Sequence, residues 1–403
     1  MSSFTKTIIV DLDHDEIEGQ YYQTIEKAAK YLRDHLIGGV IIVESGTYDF
    51  DGTGYKTTVS VPSNTTLIGR GNVVVNIKAN VSAFTNSSWA GGNKNITISG
   101  FKIVVSDDIN ENSYTTQLID LRNSSNCTLE KLYITTTNPQ NEVYENETSN
   151  TAIYLHGDTN STVNKCIIKG GAASKGFRTG IFLFHGYGHN VTLNTVKECQ
   201  TNIMASNSER GLVKNNIITG AIGKIYASEW KYALNISLEQ CKNFIIHGNQ
   251  INETDSTPGN PTGSHGIYPS GCEGIIISGN IVYGNHGNGI KPRYAGSDEV
   301  PVVDKNYCIT GNVCVENGLN GEGNGINLQG HSQRMVLFGN VCYNNANNGI
   351  RLQIENKVAG ARAHDNLAAG NVAILHTGDA GDDAPISIED PSNCCTCNLT
   401  GKL

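Results

Sequence analysis

The chain lacks any run of about eighteen apolar residues, and at a mean hydropathy of −0.28 it offers no segment for a membrane-spanning helix. It has little charge, 17% of its residues, and a formal balance of −9, so the basic face that nucleic acid requires is missing. No signal-peptide apolar core lies in the opening segment, where Asp11, Asp13, Asp15, Glu16 and Glu18 fall. Export by another route, or removal of a leader, then accounts for an extracellular or virion-associated setting, with the cytoplasm as the alternative. Paired Cys-x-x-Cys spacings are also missing among the cysteines from Cys166 to Cys342. Cys166, Cys199, Cys241, Cys272, Cys308, Cys314 and Cys342 sit in or beside short apolar stretches and are expected as buried thiols. Only Cys394, Cys395 and Cys397 cluster, leaving metal binding or disulfides open there, while the odd total of 11 argues against a complete disulfide framework.

What the chain does have is self-similarity. Gly248-Asn249-Gln250-Ile251, Gly279-Asn280-Ile281-Val282, Gly311-Asn312-Val313-Cys314 and Gly339-Asn340-Val341-Cys342 recur at about thirty residues, with weaker copies at Lys214-Asn215-Asn216-Ile217 and Asp365-Asn366-Leu367. A second phrase interleaves: Gly266-Ile267, Gly289-Ile290, Gly325-Ile326 and Gly349-Ile350, with Gly180-Ile181 earlier. Short Val- and Ile-rich strands separated by Asn/Gly turns on this period predict an all-β fold, a parallel β-helix in which each copy is one rung. Residues 38–375 make roughly a dozen rungs at the ordinary strand spacing of ~4.8 Å. Residues 1–37 are expected as a cap, with Ile25, Ala28, Ala29 and Leu32 on one face of an amphipathic helix, and 376–403 as a C-terminal tail or cap. Gly38 to Tyr48 reads as the first strand and turn. About a dozen Asn-x-Ser/Thr sequons, from Asn64-Thr65-Thr66 to Asn398-Leu399-Thr400, read as turn and amide-stacking chemistry rather than as glycosylation sites.

Alternation along the strands predicts a surface. Ile119/Leu121, Ile153/Leu155, Ile181/Leu183, Ile203/Ala205, Ile236/Leu238, Ile267/Pro269, Ile290/Pro292, Ile326/Leu328 and Ile350/Leu352 are the inward positions. Between them, outward, fall Asp120/Arg122, Tyr154/His156, Phe182/Phe184, Met204/Ser206, Ser237/Glu239, Tyr268/Ser270, Lys291/Arg293, Asn327/Gln329 and Arg351/Gln353. Aromatic rings stack on sugars, amides bind hydroxyls, and Arg forks onto carboxylates, so this face reads as a groove for an acidic glycan. Tyr154, His156, Phe182, Phe184, His185, Asn327, Gln329 and Arg351 are the expected substrate contacts. The alternative is a varied, solvated sheet face. Lys175, Arg178, Tyr187 and His189, with Tyr226, Glu229, Trp230 and Tyr232, are expected in loops over the same region, and 254–264 as a wall or lid.

The opening through Gly38-Gly39-Val40-Ile41-Ile42-Val43-Glu44-Ser45-Gly46-Thr47-Tyr48 and the repeat resemble the pectate-lyase-like superfamily, which implies a right-handed helix and kinship with polysaccharide lyases, uronate epimerases, polygalacturonases and phage tailspikes. Gly263-Ser264-His265-Gly266-Ile267 and Asn288-Gly289-Ile290-Lys291-Pro292-Arg293 look like the Gly-His-Gly and Arg-Ile-Lys motifs of polygalacturonases with the cations exchanged. That resemblance implies His265 beside the reacting centre and Lys291 and Arg293 on the substrate carboxylate. The family's catalytic aspartates have no counterpart at Thr201 or Ala233-Leu234.

Glycoside hydrolysis needs two carboxyl groups about 5–9.5 Å apart, and Glu239 has no partner on its own face; Glu229, Asp255 or Asp298 would have to supply one. Abstraction of a uronate C5 proton instead needs cations on the carboxylate, a base and an acid. Lys291 and Arg293 are expected as the neutralisers, Tyr268 as a phenolate base in their field, His265 as partner acid or base, and Glu239 nearby. The expected activity is therefore a polysaccharide lyase or C5 epimerase on uronic acid residues. A glycoside hydrolase or fructotransferase, and a non-catalytic adhesin or phage tail component, remain as alternatives. No cofactor is required by this chemistry; Ca2+ stays open, although no Gly-Gly-x-Gly-x-Asp repeat occurs. A polysaccharide is the expected partner, with a homotrimer in the tail-component reading.

Overall fold

The computed structural model describes residues 6–86, 92–106, 117–136, 150–171, 176–226, 229–231, 233–254, 264–293, 295–296, 301–319, 323–329, 332–353, 366–374, 386–388, 394–396 and 398–401. The fold is a parallel β-helix with one α-helix among the described residues. Among the described residues no helix is long and apolar enough to cross a membrane. The chain forms two compact units, Met1–Val196 and Lys197–Leu403.

In the first unit, seven strands pair in parallel so that Ile8, Ile41, Leu67, Ile98, Leu129, Val163 and Val191 stack in one column. Each is at most 1% exposed, and burying a side chain of this size contributes about 1.5–3 kcal/mol. The expected cap helix is Ile25–Asp34, with Ile25, Ala28, Ala29 and Leu32 buried. Thr24 caps it by accepting the Lys27 N–H, while Glu26 in the first turn and Arg33 in the last oppose the helix dipole. Glu26 also accepts the Ser60 N–H at 2.9 Å, tying the helix to the strand Val59–Val61. The reading of Gly38 as the start of the first strand is corrected: Lys6–Val10 precedes it and pairs in parallel with Gly39–Val43. Its β-branched run Thr7-Ile8-Ile9-Val10 carried that signal.

In the second unit, Val213, Ile246, Ile277, Ile309, Leu337 and Ala368 form the equivalent column, all fully buried. The described strands of the tail continue the stacking: Cys394–Thr396 pairs with Leu367–Ala369 in this ladder, Leu399–Gly401 with Val372–Ile374 and Ile386–Ile388 with Ile350–Gln353. The Gly-Asn phrase builds the corner between two of these strands. Gly248, Gly279, Gly311 and Gly339 hold φ of 61–64°, the left-handed region where a side chain is strained, and Asn215 occupies the equivalent place at 54°. The asparagine that follows turns inward. Asn216, Asn249, Asn280, Asn312, Asn340 and Asn371 each donate Nδ2 to the Oδ1 of the next, ending on Asn398, at 2.9–3.0 Å and at sequence separations of 27–33. Of these asparagines only Asn398 opens a sequon, Asn398-Leu399-Thr400. Cys127, Cys166, Cys199, Cys241, Cys272, Cys314 and Cys342 are buried and free, and Cys308 is half-buried.

At another corner Cys272 N–H and Tyr307 Oη–H both donate to Asp304 Oδ1, at 2.8 and 2.5 Å. Burial pushes the Asp304 carboxyl well above its ordinary value, so folding favours the protonated acid. Its stabilising contribution is complete below the unfolded carboxyl range and is lost as pH rises through the folded value. Asp304→Asn, which cannot ionise, is expected to melt progressively higher than the native chain as pH rises above about 4. Melting curves across pH check this; a variant whose destabilisation grows as pH rises would mean that Asp304 carries a paired charge.

Candidate active site

The interleaved Gly-Ile phrase generates the sheet that carries the expected site. Ile119, Ile153 and Ile181 are in register in the first unit, so Asp120, Tyr154 and Phe182 form one outer column and Arg122, His156 and Phe184 the next. Neighbouring strands lie about 4.8 Å apart, so large side chains in one column must touch. Ring centroids are 5.4 Å apart for Tyr154–Phe182 and 5.0 Å for His156–Phe184, and His185 sits edge-on to Phe184 at 4.1 Å. Arg122 forks onto Asp120 through Nε and Nη2 and lies 5.6 Å from the Tyr154 ring.

This mutual packing corrects the expectation of an open aromatic face. Tyr154 and Phe182 are 2% exposed and Asp120 3%, while His156 and Phe184 remain half-buried. Burial pushes the Tyr154 phenol up to about 12, despite Arg122, and burial with the Arg122 charge lowers His156. His189 is corrected too: it is 1% exposed, with burial pushing it down to about 4, so it is an interior group rather than a loop contact. Tyr187 is exposed and Arg178 half-buried.

In the second unit Ile203, Ile236, Ile267, Ile290, Ile326 and Ile350 are in register. Ser237, Tyr268, Lys291, Asn327 and Arg351 consequently share one outer column, and Ser206, Glu239, Ser270, Arg293 and Gln329 the adjacent one. Tyr268, Lys291, Arg293, Gln329, Arg351 and Glu239 are half-buried, whereas Asn327 is 5% exposed. Arg293 Nη1 donates to Tyr268 Oη at 3.4 Å. The His265 imidazole stacks on the phenol ring at 5.1 Å and 19°. His265 is 2% exposed; burial first, then the charges of Lys291 and Arg293, hold it well below the ordinary histidine value. Its Nδ1 accepts the Asn288 backbone N–H at 3.1 Å.

Tyr268, His265, Lys291 and Arg293 therefore come together. Glu239 stands apart, beside Ser270 in the neighbouring column, with Oε2 accepting from Ser206 Oγ at 3.5 Å. It is the one acid on this outer face among the described residues of the unit. Lys175, Tyr232, Asp255, Asp298, Cys397 and the expected lid residues 255–263 lie outside the described residues. Lys224–Tyr226 and Glu229–Lys231 pair as an antiparallel hairpin, their side chains also outside the description. Among the described residues no group of three or more His, Cys, Asp or Glu could hold a metal ion. Asn288 and Gly287, which contact His265, were missed by the sequence reading, although His265-Gly266-Ile267 stands where three later rungs read Asn-Gly-Ile.

No protein-family model and no curated protein sequence matches the chain. Solved structures do. The A-module of a mannuronan C-5 epimerase of Azotobacter vinelandii superposes with a TM-score of 0.67 at 11% identity, covering 94% of each chain. A surface adhesin of Streptococcus pneumoniae gives 0.65 at 15%, covering 95% of this chain and 91% of that one. A hyperthermoactive exopolygalacturonase from Thermotoga maritima gives 0.55 at 9%, covering 81% and 82%. At these identities the likeness is one of fold: the chain has the right-handed β-helix architecture of pectate-lyase-like proteins.

Proposed function

We propose that this chain is a carbohydrate-active enzyme that abstracts the C5 proton of uronic acid residues in an acidic polysaccharide, as a lyase or C5 epimerase. The observation that supports it is Tyr268 stacked on the His265 ring with its oxygen accepting from the Arg293 guanidinium, and Lys291 in the next rung. Lys291 would bind the substrate carboxylate and withdraw charge from C5; the Tyr268 oxygen would take the proton as Arg293 stabilises its negative charge. Loss of the C4 oxygen gives an unsaturated uronide, and return of a proton to the opposite face gives the epimer. Gln329 and Arg351 would continue the contact along the polymer, whereas Asn327, at 5% exposure, lies too deep to touch it. In the first unit the half-buried His156 and Phe184 rings and the exposed His185 ring would stack on sugar.

A second reading, a glycan-binding adhesin or tail component in an extracellular or virion-associated setting, draws on the adhesin similarity. Incubation with alginate, pectate, glycosaminoglycans and fructans separates the readings, with ultraviolet absorbance, product mass and proton exchange at C5 followed together. Unsaturated products identify a lyase; exchange or inverted residues without cleavage identify an epimerase. Reducing ends without absorbance favour a hydrolase or fructotransferase. Binding without turnover, with a trimer in sedimentation equilibrium, favours the adhesin or tail component.

A further inference from the structure

Asn288, Asn324 and Asn348 open three Asn-Gly-Ile phrases that stack in successive rungs, and His265 opens the equivalent His-Gly-Ile phrase below them. In this register each side chain accepts the backbone N–H of the following rung. Asn348 N–H donates to Asn324 Oδ1 at 3.0 Å, and Asn324 N–H to Asn288 Oδ1 at 3.0 Å, where Asn324 Nδ2 adds a second bond of 2.9 Å. At the foot of the ladder His265 Nδ1 takes the place of the amide oxygen, accepting Asn288 N–H at 3.1 Å.

A nitrogen that accepts carries no proton, so the single proton of the neutral ring is on Nε2. The ring is fixed on two further sides. One face lies against Tyr268, and a Cβ at Gly287 would fall 2.6 Å from Nδ1 and 2.9 Å from Cε1, so only glycine lets the chain pass that edge. Nε2 has no hydrogen-bond partner among the described residues. Protonating Nδ1 would break the ladder bond and place a third positive charge beside Lys291 and Arg293, the same influences that hold His265 well below the ordinary histidine value.

We propose that the Asn348–Asn324–Asn288 ladder and Gly287 are positioning residues that lock His265 as the neutral Nε2–H tautomer, making it a hydrogen-bond donor to a substrate oxygen and leaving Tyr268 as the base. The choice of oxygen rests on the uronate reading: the carboxylate oxygen that gains charge as the C5 proton moves to Tyr268. His265 keeps its own proton throughout. A neutral imidazole suits this role, because it stabilises developing charge without giving up a proton.

The test is a long-range proton–nitrogen correlation spectrum of the full-length, nitrogen-15-labelled chain, with His265 assigned by the signals absent from His265→Gln. A bare Nδ1 and protonated Nε2, unchanged between about pH 5 and 8, are expected. A titrating ring, or a proton on Nδ1, would overturn the lock. Gly287→Ala should make the His265 signals titrate and lower kcat on the uronate polymer more than it raises KM; an unlocked ring with unchanged kcat would overturn the positioning role. If that variant does not fold, Asn324→Ala cuts the ladder one rung away and is read the same way. In the native chain, oligomannuronate should shift the Nε2–H signal; turnover of that oligomer with no such shift would overturn the donor role. The tautomer is read without substrate, so absence of turnover on every acidic polymer counts against the uronate reading and leaves the lock to the spectrum.

Discussion

Tyr268→Phe is expected to lower kcat on the acidic polymer by about 10²–10⁴-fold, the usual contribution of a positioned acid–base group, while KM changes little. The phenol ring would remain against His265, so the variant removes only the oxygen that Arg293 now approaches. Lys291→Ala, which removes charge stabilisation at the substrate carboxylate, should cost ~10²–10³-fold. The double variant should fall no further than about the worse single one, because the two groups act on one proton transfer. Arg351→Ala, two rungs from Lys291 in the same column, should weaken binding of long chains and leave kcat near native. Initial rates on oligomers and polymers of uronate measure all four. A Tyr268→Phe enzyme with native kcat and raised KM would make the phenol a sugar contact, and native activity in Lys291→Ala would remove the neutraliser.

The register of this site was legible in the sequence because a β-helix converts a simple alternation into three dimensions. Once Ile236, Ile267, Ile290 and Ile326 are aligned as inward residues, the placing of Tyr268 beside Lys291 follows from strand spacing. The cap helix was legible for a similar reason, since Ile25, Ala28, Ala29 and Leu32 fall on one helical face. Burial was less legible. Alternation assigns Tyr154 and Phe182 to the outside, yet rings stacked one rung apart shield each other, and Arg122 closes over Tyr154 while paired with Asp120. The role of His265 was hidden differently. Its motif suggested a catalytic group, whereas its bond to Asn288 depends on the backbone of another rung, and only the Asn-Gly-Ile phrases pointed there.

The same dependence between rungs makes the buried asparagine ladder the place where one substitution should cost most stability. Asn312 is fully buried and engages both neighbours: Oδ1 accepts the Asn280 backbone N–H at 3.0 Å and its Nδ2 at 2.9 Å, while its own Nδ2 donates to Ile277 O at 2.9 Å and Asn340 Oδ1 at 3.0 Å. Asn312→Ala leaves several buried polar groups without this partner, and each such loss costs about 1–3 kcal/mol, so a total of roughly 3–5 kcal/mol is expected. Asn312→Leu should be no milder, because restoring apolar volume does not restore an acceptor for the Asn280 N–H. At the last rung, Asn398 is half-buried and water can replace its amide, so Asn398→Ala should cost about 1 kcal/mol. Thermal and denaturant unfolding of the three variants should therefore rank them by position in the ladder rather than by side-chain volume. Equal losses at Asn312 and Asn398 would show that the amides contribute as separate contacts, with turn conformation rather than the continuous ladder fixing the stacking of this unit.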